Sequence, residues 1–285
     1  MSHAFRGGGS RRALATYNFA GDIGKVLLPA TAAVLIWISD WRTATFSLGI
    51  FGLAMGFVLL RLIPASKGFP DRQTPAKELA EADSETSGDG GGSGFVVLTL
   101  IGLIDNATRT GFLTFLPLLL SAKGAQATTI GTALSLIFIG GAAGKFACGV
   151  LAERMGIIRT VIVTELATAL LICGLLALPL TLAFFLMLPL GIALNGTSSV
   201  LYGSVAELAP PSRRARAFAL FYTVTLAAGA LAPLLYGLIG DRIGISQTLL
   251  LVAAVVLLVL PLAGRLAPHF RNESRTSKRG HEPMS

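Results

Sequence analysis

FVVLTLIGLIDNATRTGFLTFLPLLL, residues 95–120, is long enough to cross a bilayer as one helix, yet it carries Asp105 and Arg109 near its middle. At about 1.5 Å rise per residue the two lie roughly 15–21 Å from its start, close to the midplane of a hydrocarbon core about 30 Å thick. An ionised side chain there costs at least about 2.5–3.5 kcal/mol on insertion scales, so such residues face a bundle interior or an aqueous cavity. Four residues apart on one helix face, with the acid on the N-terminal side, the pair can neutralise itself. The other reading is a role in handling substrate or protons. The sequence leaves both open.

The rest of the chain has the same texture. Of 285 residues, 53% are hydrophobic and only 13% charged. Mean hydropathy is +0.72. A soluble domain would need more polar residues to cover its core. Apolar runs of about 20 residues recur, so the chain reads as an all-α membrane protein. Eight transmembrane helices are predicted, over 13–38, 43–63, 95–120, 128–151, 160–178, 181–206, 214–239 and 245–266. Residues 65–93 are polar and rich in Gly and acids. They predict a flexible linker with one helical turn at most, at AKELAEA (76–82). The chain thus divides into 1–63, a linker at 64–93, a bundle at 94–268 and a basic tail at 269–285, the last predicted to be disordered.

A formal charge of +8 invites a nucleic-acid partner, but the basic residues sit at helix ends and in loops, as membrane topology requires. Of the 23 Lys and Arg residues, 17 fall on the side that holds both termini and 3 on the other. The positive-inside rule therefore places both termini in the cytoplasm, and the expected location is the inner or plasma membrane. Cys148 and Cys173 fall in apolar runs and predict small buried hydrophobes, not a disulfide or a metal site. No secretory signal is apparent. No His cluster, nucleophile arrangement, phosphate loop or metal-ligand spacing points to an enzyme or a cofactor.

Landmarks repeat along the chain. Ser10-Arg11-Arg12-Ala13 recurs as Ser212-Arg213-Arg214-Ala215. A helix follows each copy, with Gly24 and Pro29 in the first and Gly229 and Pro233 in the second. A turn with Asp40-Trp41-Arg42 or Asp241-Arg242 comes next, and then a helix ending in Arg61-Leu62-Ile63-Pro64 or Arg265-Leu266-Ala267-Pro268. Matching landmarks in order predict an internal repeat. If the first two helices correspond to the last two, a six-plus-six design lacks four helices at its N-terminus here, and its halves are related by an axis along the membrane normal.

Gly149-Val-Leu-Ala-Glu153-Arg154-Met-Gly156-Ile-Ile-Arg159 resembles the G-x-x-x-D/E-R-x-G-R-R signature of the major facilitator superfamily. Pro233-Leu-Leu-Tyr-Gly237-Leu-Ile-Gly-Asp241 resembles that family's P-x-x-x-G-x-x-x-D pattern. The resemblance covers about residues 10–268, as helices five to twelve of a twelve-helix transporter. YNFAGDIGK (17–25) is further similar to fosmidomycin-resistance-like members, which export drugs against protons. Glu153 replaces the commoner Asp, and Thr160 stands where a second basic residue is usual.

The resemblance implies a proton-coupled secondary transporter that exports a small molecule by alternating access, in contact with lipid, substrate and protons. It also implies that the 149–159 turn is a latch: Gly149 permits close helix approach, Glu153 meets a helix N-terminus, and Arg154 or Arg159 meets a carboxylate or exposed carbonyls. The alternative is a non-transporting membrane fragment or assembly module.

Asp22 and Lys25 are a second deep pair, three residues apart. Asp105 or Asp22 is the expected proton carrier, with Arg109 or Lys25 binding an anionic or competing group. Asn106 and Asn195 are expected to hydrogen-bond in the cavity or between helices. Lys145 and Glu165 lie near one membrane face, where they pair or snorkel. Tyr202 and Tyr222 are interface candidates.

Overall fold

The structure is a computed structural model. It describes residues 8–62, 92–209 and 213–279, with side chains except at 8–20, 22, 92 and 271–279. Without water in the bilayer, each backbone polar group must bond within its own segment, and every described element is helical. The helices are α1 (Gly8–Ile38), α2 (Trp41–Leu62), α3 (Gly92–Ala122), α4 (Ala127–Met155), α5 (Ile157–Ala177), α6 (Leu180–Leu208), α7 (Arg214–Ile243), α8 (Ile245–Val256) and α9 (Val259–Arg279). Seven apolar segments are long enough to span a membrane, with α8 and α9 counted together. The described apolar part of α1, Ile23–Ile38, is shorter and makes the eighth.

The last crossing departs from expectation in two ways. One helix was predicted over 245–266, but the chain makes a tight turn at Leu257-Leu258, where Leu257 and Leu258 donate to Ala254 and Val255 at 3.2 and 3.1 Å. Pro261 supplies the reason: it has no N–H for the Leu257 carbonyl, and its ring crowds that carbonyl. The helix then runs through Pro268 to Arg279, beyond the start of the predicted disordered tail. His269 anchors this extension, packing on Gly94 and sharing a 3.0 Å hydrogen bond with Ser93 at the start of α3. The helical turn anticipated at 76–82 lies outside the described residues.

Glycines set the sharp turns. Gly124, Gly156 and Gly244 adopt φ of +87°, +88° and +89°, which side chains with a Cβ rarely reach. Consequently α4 does not stop before Glu153-Arg154, as the apolar run suggests, but continues to Met155. At the start of α2, Asp40 accepts a hydrogen bond from the Thr43 amide at 2.6 Å, as an N-cap does. That amide, with the Thr43 hydroxyl, holds the Asp40 carboxyl below its ordinary range. The cap's contribution is therefore present above the unfolded-state value and lost as pH falls through the folded one.

The turns at Gly156 and Gly244 are copies of one another. Gly149-x-x-x-Glu153-Arg154-x-Gly156-Ile157 matches Gly237-x-x-x-Asp241-Arg242-x-Gly244-Ile245, 88 residues further on. Each cap glycine donates to the carbonyl four residues back, at 3.0 and 2.8 Å. Thr160 and Thr248 return hydroxyl bonds to the two cap carbonyls at 2.9 and 2.8 Å. Helices α3 to α5 therefore repeat in α6 to α9 with opposite direction across the membrane. The packing repeats too, because α4 lies on α6 as α7 lies on α3.

Small residues bring these pairs together, as is usual where lipid offers no competing hydrophobic drive. Gly140 and Gly144 of α4 face Gly191 and Ile192 of α6 so closely that a Cβ on Gly140 would sit 3.1 Å from the Gly191 Cα. Cys148 fills the space against Gly196. In the other pair, a Cβ on Gly102 would meet the Phe221 ring at 2.6 Å. α1 packs on α4, with Gly131 against Ala33 and Ser135 donating to the Val26 carbonyl at 3.2 Å. α2 lies mainly on α1, and only its Ala44 is buried.

Replacing Gly191 with leucine should destabilise the bundle by about 1–3 kcal/mol or more, because its contact is backbone that cannot move aside. Thermal unfolding in detergent measures this. Gly203→Ala, with nothing within 4 Å of the new methyl, is the control expected to change little.

Candidate functional site

Two apolar clusters divide the bundle by depth. One, toward the Gly156 end, includes Leu98, Ile101, Val161, Leu201 and Phe221. The other, toward the Gly244 end, includes Phe112, Leu116, Ile172, Leu190 and Leu249. Between them each helix changes to polar residues: Asp105, Asn106 and Arg109 on α3, Thr164 and Glu165 on α5, Thr197 and Ser198 on α6, and Thr225 on α7. Most of these are buried. Polar groups withdrawn from both water and lipid need partners within the protein.

Arg109 is the hub of this layer. Its two terminal nitrogens donate to Ser198 Oγ at 3.0 Å and to Asn106 Oδ1. Asn106 passes the link on, its Nδ2 donating to the Thr225 carbonyl at 2.5 Å. One guanidinium thereby ties α3 to α6 and, through Asn106, to α7. Asp105, one turn from Arg109 and attracted by it, also meets the Glu165 side chain across the bundle. Thr197, which donates to Thr164 at 2.7 Å, is the other neighbour of Glu165. Glu165 Oε1, Thr108 Oγ1 and Thr168 Oγ1 are buried without a hydrogen-bond partner among the described residues.

A cleft of about 730 Å³ opens beside this layer, lined by Lys25, Arg109, Lys145, Asn195, Tyr202 and Tyr222 among others. A recess of about 450 Å³ shares Lys25, Arg109 and Asn195 with it and adds Asn106. Between Arg109 and Asp105 lies a further space of about 10 Å³, near the size that one water occupies. Tyr202 is braced edge-on by Phe221, with ring centroids 5.3 Å apart and planes at 79°. Tyr222 lies 5.8 Å from it on the other wall helix.

Three residues anticipated from the sequence, Lys25, Arg109 and Asn195, thus converge on the cleft, with Asn106 in the adjoining recess and Asp105 beside Arg109. The side chain of Asp22 lies outside the described residues. Several anticipations need correction. Glu165 does not snorkel toward the near membrane face; it is buried beside Asp105, while Lys145 lines the cleft. Cys148 is buried as expected, but Cys173 is exposed on the outer face of α5. Among the described residues Gly149 makes no close helix approach: a Cβ there, as at Gly237, would meet nothing within 4 Å, and the glycines that touch α6, Gly140 and Gly144, lie earlier in α4. Glu153, Arg154, Arg159 and Asp241 are exposed at their turns, and Arg159 also borders a crevice formed with Ala267 and Phe270. Pro233 lies within α7.

A multi-helix membrane protein with a polar, mid-depth cleft is built as a transport protein is built. The chain belongs to the Major Facilitator Superfamily, whose family model matches residues 98–284, more than half its length. It is therefore a member of a family of membrane transporters. No curated protein matches the sequence.

Removing the Asn106 amide by Asn106→Ala should cost about 1–2 kcal/mol, since it breaks the α3–α7 link and deprives Arg109 of an acceptor. The loss is read as a lowered melting temperature of the protein in nanodiscs.

Proposed function

We propose that the protein moves a small molecule across the membrane by alternating access, coupled to protons. Helices α1 and α2 would be the last pair of a first bundle, and α3 to α9 a complete second bundle. The observation that carries this reading is the cleft itself, bordered by α1 of the first unit and by α3, α4, α6 and α7 of the second. A site at the seam between two helical units is where rocking one against the other exposes it to alternate sides. The charge distribution of the loops supports cytoplasmic termini and a cell-membrane location. The copied turns at Gly156 and Gly244 suit latches at the two faces, with Glu153-Arg154 and Asp241-Arg242 as the contact groups.

Proton coupling is assigned to Asp105, with Glu165 beside it. A proton on that pair weakens the attraction of Asp105 for Arg109, and its loss strengthens it. Arg109 lines the cleft, so its availability to cargo follows the proton. Export, in place of uptake, is the direction suggested by the fosmidomycin-resistance-like segment at 17–25.

A second reading, a non-transporting assembly module, draws on α2, which leaves nearly its whole surface for lipid or a partner. Proton-driven flux in vesicles containing this chain alone separates the two: flux supports the transporter, and its absence with correctly inserted protein supports the module. In an active preparation, Asp105→Asn should lower proton-driven transport by at least about a hundredfold, as loss of an essential proton-transfer group does. An internal pH-sensitive dye measures it, and unchanged proton movement would remove Asp105 from the mechanism.

A further inference from the structure

We infer that Asp105, Glu165, Thr108 and Thr168 form a buried binding site for a small, hard, monovalent cation, namely sodium. The inference stands on the polar layer alone and goes beyond the transporter reading. Two helices carry the same buried pattern at the same spacing. On α3 it is Ile101, Asp105, Thr108 and Phe112, and on α5 it is Val161, Glu165, Thr168 and Ile172. Ile101 and Val161 belong to the apolar cluster at the Gly156 end, Phe112 and Ile172 to the one at the Gly244 end. The two helices therefore run in the same direction and in register. Their carboxyl groups meet at one depth, and the two hydroxyls follow about one turn further on, on the same buried faces.

The hydroxyls are set apart by what they do not bond. A threonine inside a helix ordinarily gives its hydroxyl to the carbonyl four residues back. Thr99, Thr110, Thr164 and Thr225 do so, at 2.7–2.9 Å. Thr108 and Thr168, each 1% exposed, do not, and their Oγ1 atoms have no partner among the described residues. Glu165 Oε1 has none either. Buried oxygens without partners are costly, and a cation held between them removes that cost together with the repulsion of two carboxylates. Carboxylate and hydroxyl oxygens are the donors that hard cations select. Arg109, whose charge already acts on Asp105, favours a monovalent over a divalent ion. Protons compete for the same carboxyl oxygens, so ion and proton are alternative occupants. Of the other titratable groups on the packed helices, Cys148 of α4 lies near Glu165, and Tyr202 of α6 borders a small space with Asp105. Tyr236 of α7 packs further along α3, at Gly111, while α8 carries none; on α9, Arg265 is exposed and His269 lies at Gly94.

The test is binding of radioactive sodium to the full chain in nanodiscs, at mildly alkaline pH and constant ionic strength with choline as the balancing cation. Sodium should bind saturably and raise the melting temperature, with potassium at least about tenfold less effective as a competitor, and affinity should fall as the pH is lowered. Thr108→Val and, from a separate helix, Thr168→Val remove only a hydroxyl that bonds to nothing in the structure. Each should weaken sodium at least about tenfold and lose the sodium-dependent rise in melting temperature. Thr99→Val, whose hydroxyl is spent on its own helix, should bind sodium as the parent does. No saturable binding by folded protein at about 0.1 M sodium, undiminished binding by either buried-threonine variant, or equal binding of potassium would overturn the site. Sodium binding in protein that moves nothing across vesicles would sink the transporter reading alone. Proton-driven flux without sodium binding would sink this inference alone.

Discussion

The polar layer exists because Arg109 must be satisfied at a depth where neither water nor lipid will do it. Ser198 and Asn106 accept from the guanidinium, and Asn106 in turn needs the Thr225 carbonyl. Three helices are therefore held in register by one cation. The apolar clusters on either side can be assembled from interchangeable Leu, Ile and Val, but this layer has a single arrangement. A buried network of this kind specifies which helix faces meet, more than it adds net stability. Arg109 thus serves twice, as structural hub and as a cleft wall.

Around that hub the bundle is built by repetition. The same glycine-ended turn occurs at Gly156 and at Gly244, and the same close pairing of helices occurs between α4 and α6 and between α7 and α3. The two copies are not equal in chemistry. Helices α3 to α5 carry Asp105, Asn106, Arg109 and Glu165, whereas α6 to α9 supply mainly hydroxyls and aromatic rings: Ser198, Tyr202, Tyr222 and Thr225. Pseudo-symmetry provides the shape, and asymmetry of side chains places the buried ionisable groups Asp105, Arg109 and Glu165 in one copy.

Much of this is legible along the chain because a bilayer imposes strong local rules. Apolar length marks each crossing, Gly and Pro mark the breaks, and a charge in the middle of a span marks a protein-facing side. What the chain order does not reveal is which faces meet. Asp105 and Glu165 each look solitary, and only the fold sets them against one another. Gly149 looks like a packing glycine, yet the helix turns it away and uses Gly140 and Gly144 instead. The kink after Val256 has a visible cause in Pro261, although a continuous apolar run conceals it. The second copy of the turn is also readable, in the Asp241-Arg242-x-Gly244 spacing, once the pattern before it is extended by three residues.

The hydrogen bond between Ser93 and His269 joins the first turn of α3 to the last helix of the bundle. The two ends of this six-crossing unit therefore lie together, and the loop order inside it is a closed circuit with one seam. A unit with adjacent ends can be joined to another copy by a short or a long tether without altering its interior. That adjacency lets chain be added at either end of the unit from the same side without disturbing the packing between its helices.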